Sequence, residues 1–72
     1  MDIFEAIAQT VHCPYVSDLR FLPWRESAKK EIKKVKITKF SLNSLSDFIE
    51  YVFEEKRNFK SHDEVREYLK AH

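Results

Sequence analysis

The sequence predicts a mostly α-helical fold: one small domain, residues 1–72, arranged as a bundle of three to four helices. Three observations carry that prediction. None of the 72 residues is glycine, the residue that tight hairpins and other positive-φ turns use by default. Four segments each open on a recognisable helix-start signal. The apolar residues inside those segments recur mainly at helical spacing.

The first helix is read over residues 3–12. Asp2 followed by Glu5 makes a capping-box-like opening, and Ile3, Phe4, Ile7 and Val11 then share one face. Pro14 stops this helix or opens the next turn. Residues 13–23 admit two readings: a helical turn from Ser17 that joins Val16, Leu19 and Leu22, or a short strand with Leu19 and Phe21 alternating. A second helix is read over residues 24–35, with Pro23 suited to a first helical position. Trp24, Ala28, Ile32 and Val35 form its narrow apolar stripe. The competing reading makes residues 34–40 a strand, Val35 and Ile37 alternating with Lys36 and Thr38. Paired with residues 15–21, it would give an α+β variant with a short ribbon.

The third helix has the clearest pattern. Leu42, Leu45, Phe48, Ile49, Val52 and Phe53 cover an arc of about 140° at about 100° per residue, and Ser41 or Ser44 can cap the start. Asn58 is expected as the left-handed residue beyond its end, with Phe59 folding back onto Phe53. Ser61 and Glu64 form another capping box. The last helix, of about ten residues, is too short to stand alone and docks on the others through Val65, Tyr68 and Leu69.

Composition restricts the function classes. At 43% hydrophobic and 35% charged residues, the chain is globular rather than disordered. Aromatics reach 14%, and in so short a chain large rings supply core area that length does not. Cys13 is the lone cysteine, no leader segment is visible, and no apolar run approaches the roughly 18 residues of a membrane span, so a reducing, cytoplasmic location is expected. Without glycine there is no glycine-rich phosphate loop, dinucleotide fingerprint or glycine-built nucleophile elbow. His12, Cys13, His62 and His72 lack zinc-framework spacing, and adjacent helical residues point about 100° apart, so His12 is badly placed to activate Cys13. No catalytic, cofactor or metal residue is assigned, and the chain is not expected to be an enzyme.

Charge is the best functional lead. The net +1 hides a partition: residues 25–39 hold seven bases (Arg25, Lys29, Lys30, Lys33, Lys34, Lys36, Lys39) against Glu26 and Glu31, a local +5, leaving −4 elsewhere. On a helical wheel Arg25, Lys29, Lys33 and Lys36 fall about 100–180° from Trp24, as a cationic ridge. The plain reading is a solvated face that keeps the domain soluble. The sharper one is weak, sequence-nonspecific contact with nucleic acid or an anionic surface, although no arginine cluster or aromatic–basic alternation suggests base reading or stacking. The third and fourth helices are unsuited to act as a helix-turn-helix, because Asp63, Glu64 and Glu67 repel phosphate.

Asp47, Glu50 and Glu54 form a carboxylate flank on the third helix. Its charge complements the ridge, within one molecule or between two copies. Tyr51 falls outside that helix's apolar arc and is a candidate partner contact. Arg25, Lys29, Lys33, Lys36, Tyr51, Asp47, Glu50 and Glu54 together predict an adaptor or regulatory protein that works without catalysis, by contacting a protein partner or a second copy of itself.

Overall fold

A computed structural model describes residues 2–72. Over them the chain forms four α-helices, α1 (Ile3–Thr10), α2 (Trp24–Ile32), α3 (Leu42–Phe53) and α4 (His62–Ala71), with 3-10 turns at Val16–Arg20 and Ile37–Lys39. No β-strand occurs among the described residues, which overturns the α+β alternative. Both arms of the expected ribbon, residues 15–21 and 34–40, hold a 3-10 turn instead. A ribbon would bury alternate residues along each arm. Here each turn sinks one side chain, Leu19 or Ile37, while Ser17 and Arg20 on one arm and Lys36, Thr38 and Lys39 on the other stay in water.

The caps follow the sequence closely. Asp2 Oδ1 accepts from the Glu5 amide at 2.9 Å. Ser41, rather than Ser44, caps α3, its Oγ accepting from the Ser44 amide at 3.1 Å. Ser61 Oγ accepts from the Glu64 amide at 3.3 Å, and the Glu64 carboxylate reaches back to the Lys60 amide at 3.0 Å. That reciprocal bond lands one residue before the expected capping-box partner. Pro23 is the N-cap of α2, one position earlier than expected, and Trp24 is the first helical residue.

Helix α2 stops at Ile32, three residues short of its expected end. Continuing it would set Lys29 against Lys33 and Lys30 against Lys34 at unfavourable i,i+4 spacing. It would also turn Ile37 about 140° away from Ile32 on the wheel. Ending the helix lets the chain bend so that Ile32 and Ile37 are both buried, at 0% and 3% exposure.

Two residues adopt the left-handed conformation that glycine would otherwise supply: His12, at φ 62°, and Glu54, at φ 60°. At the end of α1 the His12 amide donates to Gln9 O at 3.3 Å and the Cys13 amide to Ala8 O at 2.8 Å, which is the Schellman arrangement with histidine in the glycine position. Glu54 follows Phe53 directly and ends α3. Asn58, expected in that role, lies in the irregular segment that joins α3 to α4.

The core gathers on α3, where Leu45, Phe48, Ile49 and Val52 are all fully buried. Helices α1, α2 and α3 and the Val16–Arg20 turn each pack against the other three, contributing Ile3, Ile7, Ala28, Ile32 and Leu19. Helix α4 adds Val65, Tyr68 and Leu69. The left-handed residues generate a counterintuitive prediction. Holding a non-glycine residue there costs about 1–2 kcal/mol, partly offset by glycine's greater freedom in the unfolded chain. His12→Gly is therefore expected to stabilise the domain by about 0.5–1 kcal/mol in urea denaturation, although it introduces the first glycine.

Candidate functional site

The expected cationic ridge is not one continuous ridge. Arg25 and Lys29 are half-buried and turned towards α3. Arg25 Nη1 lies 3.5 Å from Glu54 Oε2. Lys29 sits 3.7 Å from Glu26, with its ammonium 5.4 Å from the centre of the Phe53 ring. Lys33 is the C-cap of α2, and Lys36 lies past it on extended backbone, so the helix that was to align all four ends too early. Lys30, Lys33, Lys34, Lys36 and Lys39 are exposed and have no carboxylate partner among the described residues. The attraction between ridge and carboxylates is met within the molecule by Arg25–Glu54, an open pair of the kind that contributes about 0–1 kcal/mol.

Asp47, Glu50 and Glu54 stay exposed along α3, and Tyr51 lies among them half-buried rather than free. Its hydroxyl donates to the Ser17 carbonyl at 2.7 Å. Its ring meets Phe4 edge-on at 5.7 Å, and the Arg20 guanidinium stands 5.5 Å from its centre. On the wheel Tyr51 is only about 60° from the apolar arc, near enough for the Val16–Arg20 turn to cover one side of it. Arg20 is also 5.3 Å from the ring centre of Phe21. Phe4, Arg20, Asp47, Glu50, Tyr51, Glu54 and Lys56 line a shallow groove. A second hollow shares Phe4 and Tyr51 with it and adds Asp2, Glu5, Val16 and Ser17. The surface around Tyr51 thus carries five carboxylates against two cations.

Two features escaped the sequence reading. Tyr15 (69% exposed), Val16 (37%), Phe21 (56%) and Leu22 (63%) are the large apolar residues left in water, all within Tyr15–Leu22. The signal was present, since Tyr15, Val16, Leu19, Phe21 and Leu22 are more apolar side chains than one short turn can bury. The second feature is a cleft of about 250 Å³ between the end of α2 and α4. Ile32, Val35, Ile37 and Leu69 make its floor, and Lys33, Arg66 and Lys70 its rim. Arg66 and Lys70 hold Asp63 and Glu67 at 3.2 and 3.7 Å, and no carboxylate lines the cleft. Helix α4 lies far along the sequence from Lys33, so nothing local announced this meeting.

Elsewhere the chemistry is structural. The Cys13 thiol is buried and donates to the Tyr15 carbonyl at 3.0 Å. The Tyr68 ring stacks on His72 at 4.0 Å and meets Phe53 and Phe59 edge-on at 5.7 Å each. Phe59 thus packs on Tyr68, which stands in for the expected contact with Phe53. The buried Tyr68 hydroxyl makes no close hydrogen bond, its Glu55 neighbour standing farther off. Burial first, and then the negative charge of Glu55, push this phenol above its ordinary range, with Arg57 opposing. Among the described residues, no cluster of His, Cys, Asp or Glu could hold a metal ion, and no helix is long and apolar enough to cross a membrane.

What these surfaces define is a small helical bundle with a carboxylate-rich groove around Tyr51, an exposed apolar stretch at Tyr15–Leu22 beside it, and a separate cation-rimmed cleft. Comparison with known proteins finds no matching family model, no matching curated protein and no matching solved structure.

Tyr51→Phe is expected to cost about 1 kcal/mol by losing the bond to Ser17, with faster amide exchange in residues 16–20. Tyr68→Phe is expected to be neutral or slightly stabilising at neutral pH, because it removes an unpaired buried hydroxyl. The native Tyr68 phenol keeps its proton to higher pH than the unfolded one. Its contribution is therefore complete below about pH 10 and is lost as pH rises through the raised native value. Urea midpoints followed across that range should fall less steeply for Tyr68→Phe than for the wild type.

Proposed function

We propose that this chain is a non-catalytic docking module, an adaptor or regulatory protein that works in the reducing cytoplasm by contacting another protein. One observation carries the reading: Tyr15, Val16, Phe21 and Leu22, the large apolar residues left in water, fall within one stretch of eight residues. Single exposed hydrophobics are ordinary, whereas a cluster rimmed by polar groups marks an interaction surface. The neighbouring surface around Tyr51 carries an excess of carboxylate, so the partner it suits presents apolar side chains flanked by Lys or Arg. Tyr51 supports the segment from beneath through its bond to Ser17, which lowers the ordering cost of binding. The free, buried Cys13 supports the reducing compartment.

A second reading rests on the exposed lysines without carboxylate partners, Lys30, Lys33, Lys34, Lys36 and Lys39. Their charge density suits weak, sequence-independent contact with the phosphates of nucleic acid or an anionic surface.

Trp24, two residues beyond Leu22, reports on both. A synthetic amphipathic helix of leucine and lysine is expected to change its fluorescence saturably, in the range of about 1–100 μM. A matched leucine–glutamate peptide, RNA, DNA and anionic vesicles are expected to give no saturable change. Phe21→Ser combined with Leu22→Ser should weaken peptide binding at least about tenfold, and Lys33→Glu with Lys36→Glu should leave it intact. Steeply salt-dependent binding of RNA, DNA or vesicles, lost on reversing Lys33 and Lys36 and accompanied by no peptide binding, would replace the docking reading with the second.

A further inference from the structure

We infer that the partner of the exposed apolar stretch is a second copy of this chain, whose cation-rimmed cleft receives Phe21 and Leu22 in a head-to-tail contact. The inference rests on the docking reading above and names its partner.

One surface is an apolar projection beside a groove with a small excess of carboxylate, and the other is an apolar cleft bordered only by cations. Phe21 and Leu22 stand out at 56% and 63% exposure. Arg20 touches both Phe21 and Tyr51, which joins this apolar projection to the carboxylates Asp47, Glu50 and Glu54 around Tyr51. The cleft offers the converse: an apolar floor that includes Ile32, Ile37 and Leu69, bordered by Lys33, Arg66 and Lys70. Its volume of about 250 Å³ is below the range of about 300–1,000 Å³ usual for small-molecule pockets. That size suits the inserted side chains of Phe21 and Leu22 better than a free ligand. Lys33 has no carboxylate partner among the described residues, leaving its charge available to an incoming acid.

The projection and the cleft share no residue, so one molecule can use both at once. A contact between two different faces is heterologous, leaves a free face at each end, and adds copies into open chains or rings. A standard interface takes about 800 Å² from each partner, a large share of the 4803 Å² this molecule exposes. The contact is accordingly smaller and weak, and its charged rims make it sensitive to salt.

Sedimentation velocity from about 10 μM to about 1 mM covers the range in which such contacts form. The mass of the wild type is expected to rise past the dimer with concentration and to fall on adding salt or the leucine–lysine peptide. Phe21→Ser with Leu22→Ser, and separately Lys33→Glu with Lys70→Glu, should each give monomers with unchanged helical circular dichroism. Mixed together, they should form a one-to-one dimer that grows no further, because one intact projection meets one intact cleft. A wild type that stays monomeric while still binding the peptide overturns the second copy as partner and leaves the docking reading standing. A mass that stops at a closed wild-type dimer, or a mixture that stays monomeric, overturns the head-to-tail contact. Absence of peptide binding, by contrast, removes the docking reading itself.

Discussion

The burial of Phe48 with Leu45, Ile49 and Val52 on one face of α3 is the interaction around which the rest of the structure is arranged. All four are fully buried, which a single 12-residue helix achieves only when covered along its length. Helix α1 covers it with Ile3 and Ile7, the Val16–Arg20 turn with Leu19, and α2 with Ile32. Ala28, also fully buried, lets α2 approach closely. Loss of one large core side chain costs about 3–5 kcal/mol, against a total stability of about 5–15 kcal/mol for a small domain. With so little redundancy, every covering element is needed, including α4, which seals the far end through Phe53 and Tyr68.

That dependence explains which parts of the fold were legible in the sequence. The apolar arc of α3 and the caps at Asp2 and Ser61 are local signals that appear in the structure as read, and Ser41 is the one of two candidate serines that caps α3. The misread parts depend on distant neighbours. Ile37 leaves the helical register because a buried position is waiting for it, so α2 stops at Ile32 and the expected Lys36 end of the ridge falls outside it. Glu54 takes the left-handed conformation in place of Asn58 because α3 has spent its apolar face at Phe53. Propensity favours Asn there, but the end of the buried stripe decides where the helix stops.

The candidate surface was legible in its charge and not in its apolar content. Asp47, Glu50 and Glu54 were identifiable from spacing alone, since a helical flank opposite a buried arc faces water. Tyr51 was placed correctly on the wheel, but its bond to Ser17 spans 34 residues and no local pattern encodes it. Arg25 and Lys29 were grouped with Lys33 and Lys36 by sequence, whereas packing of α2 against α3 assigns them to Glu54 and Phe53. Among the lysines of residues 25–39, the ones without a carboxylate partner lie at and beyond the break, apart from Lys30.

The same shortage of interior that makes α3 indispensable also shapes the surface. Between α1 and α2 the chain runs over residues 11–23, and the 3-10 turn within it presents one inward position, which Leu19 fills. Tyr15, Val16, Phe21 and Leu22 are left outside, where apolar area without a partner favours nonspecific association. A carboxylate rim answers that hazard selectively. It works against acidic surfaces and favours apolar ones that also carry cations; under the proposed head-to-tail contact, the Lys33–Arg66–Lys70 cleft of a second copy is the surface it would admit. On that proposal, the residue types that a small core had no room for are the ones that select the partner.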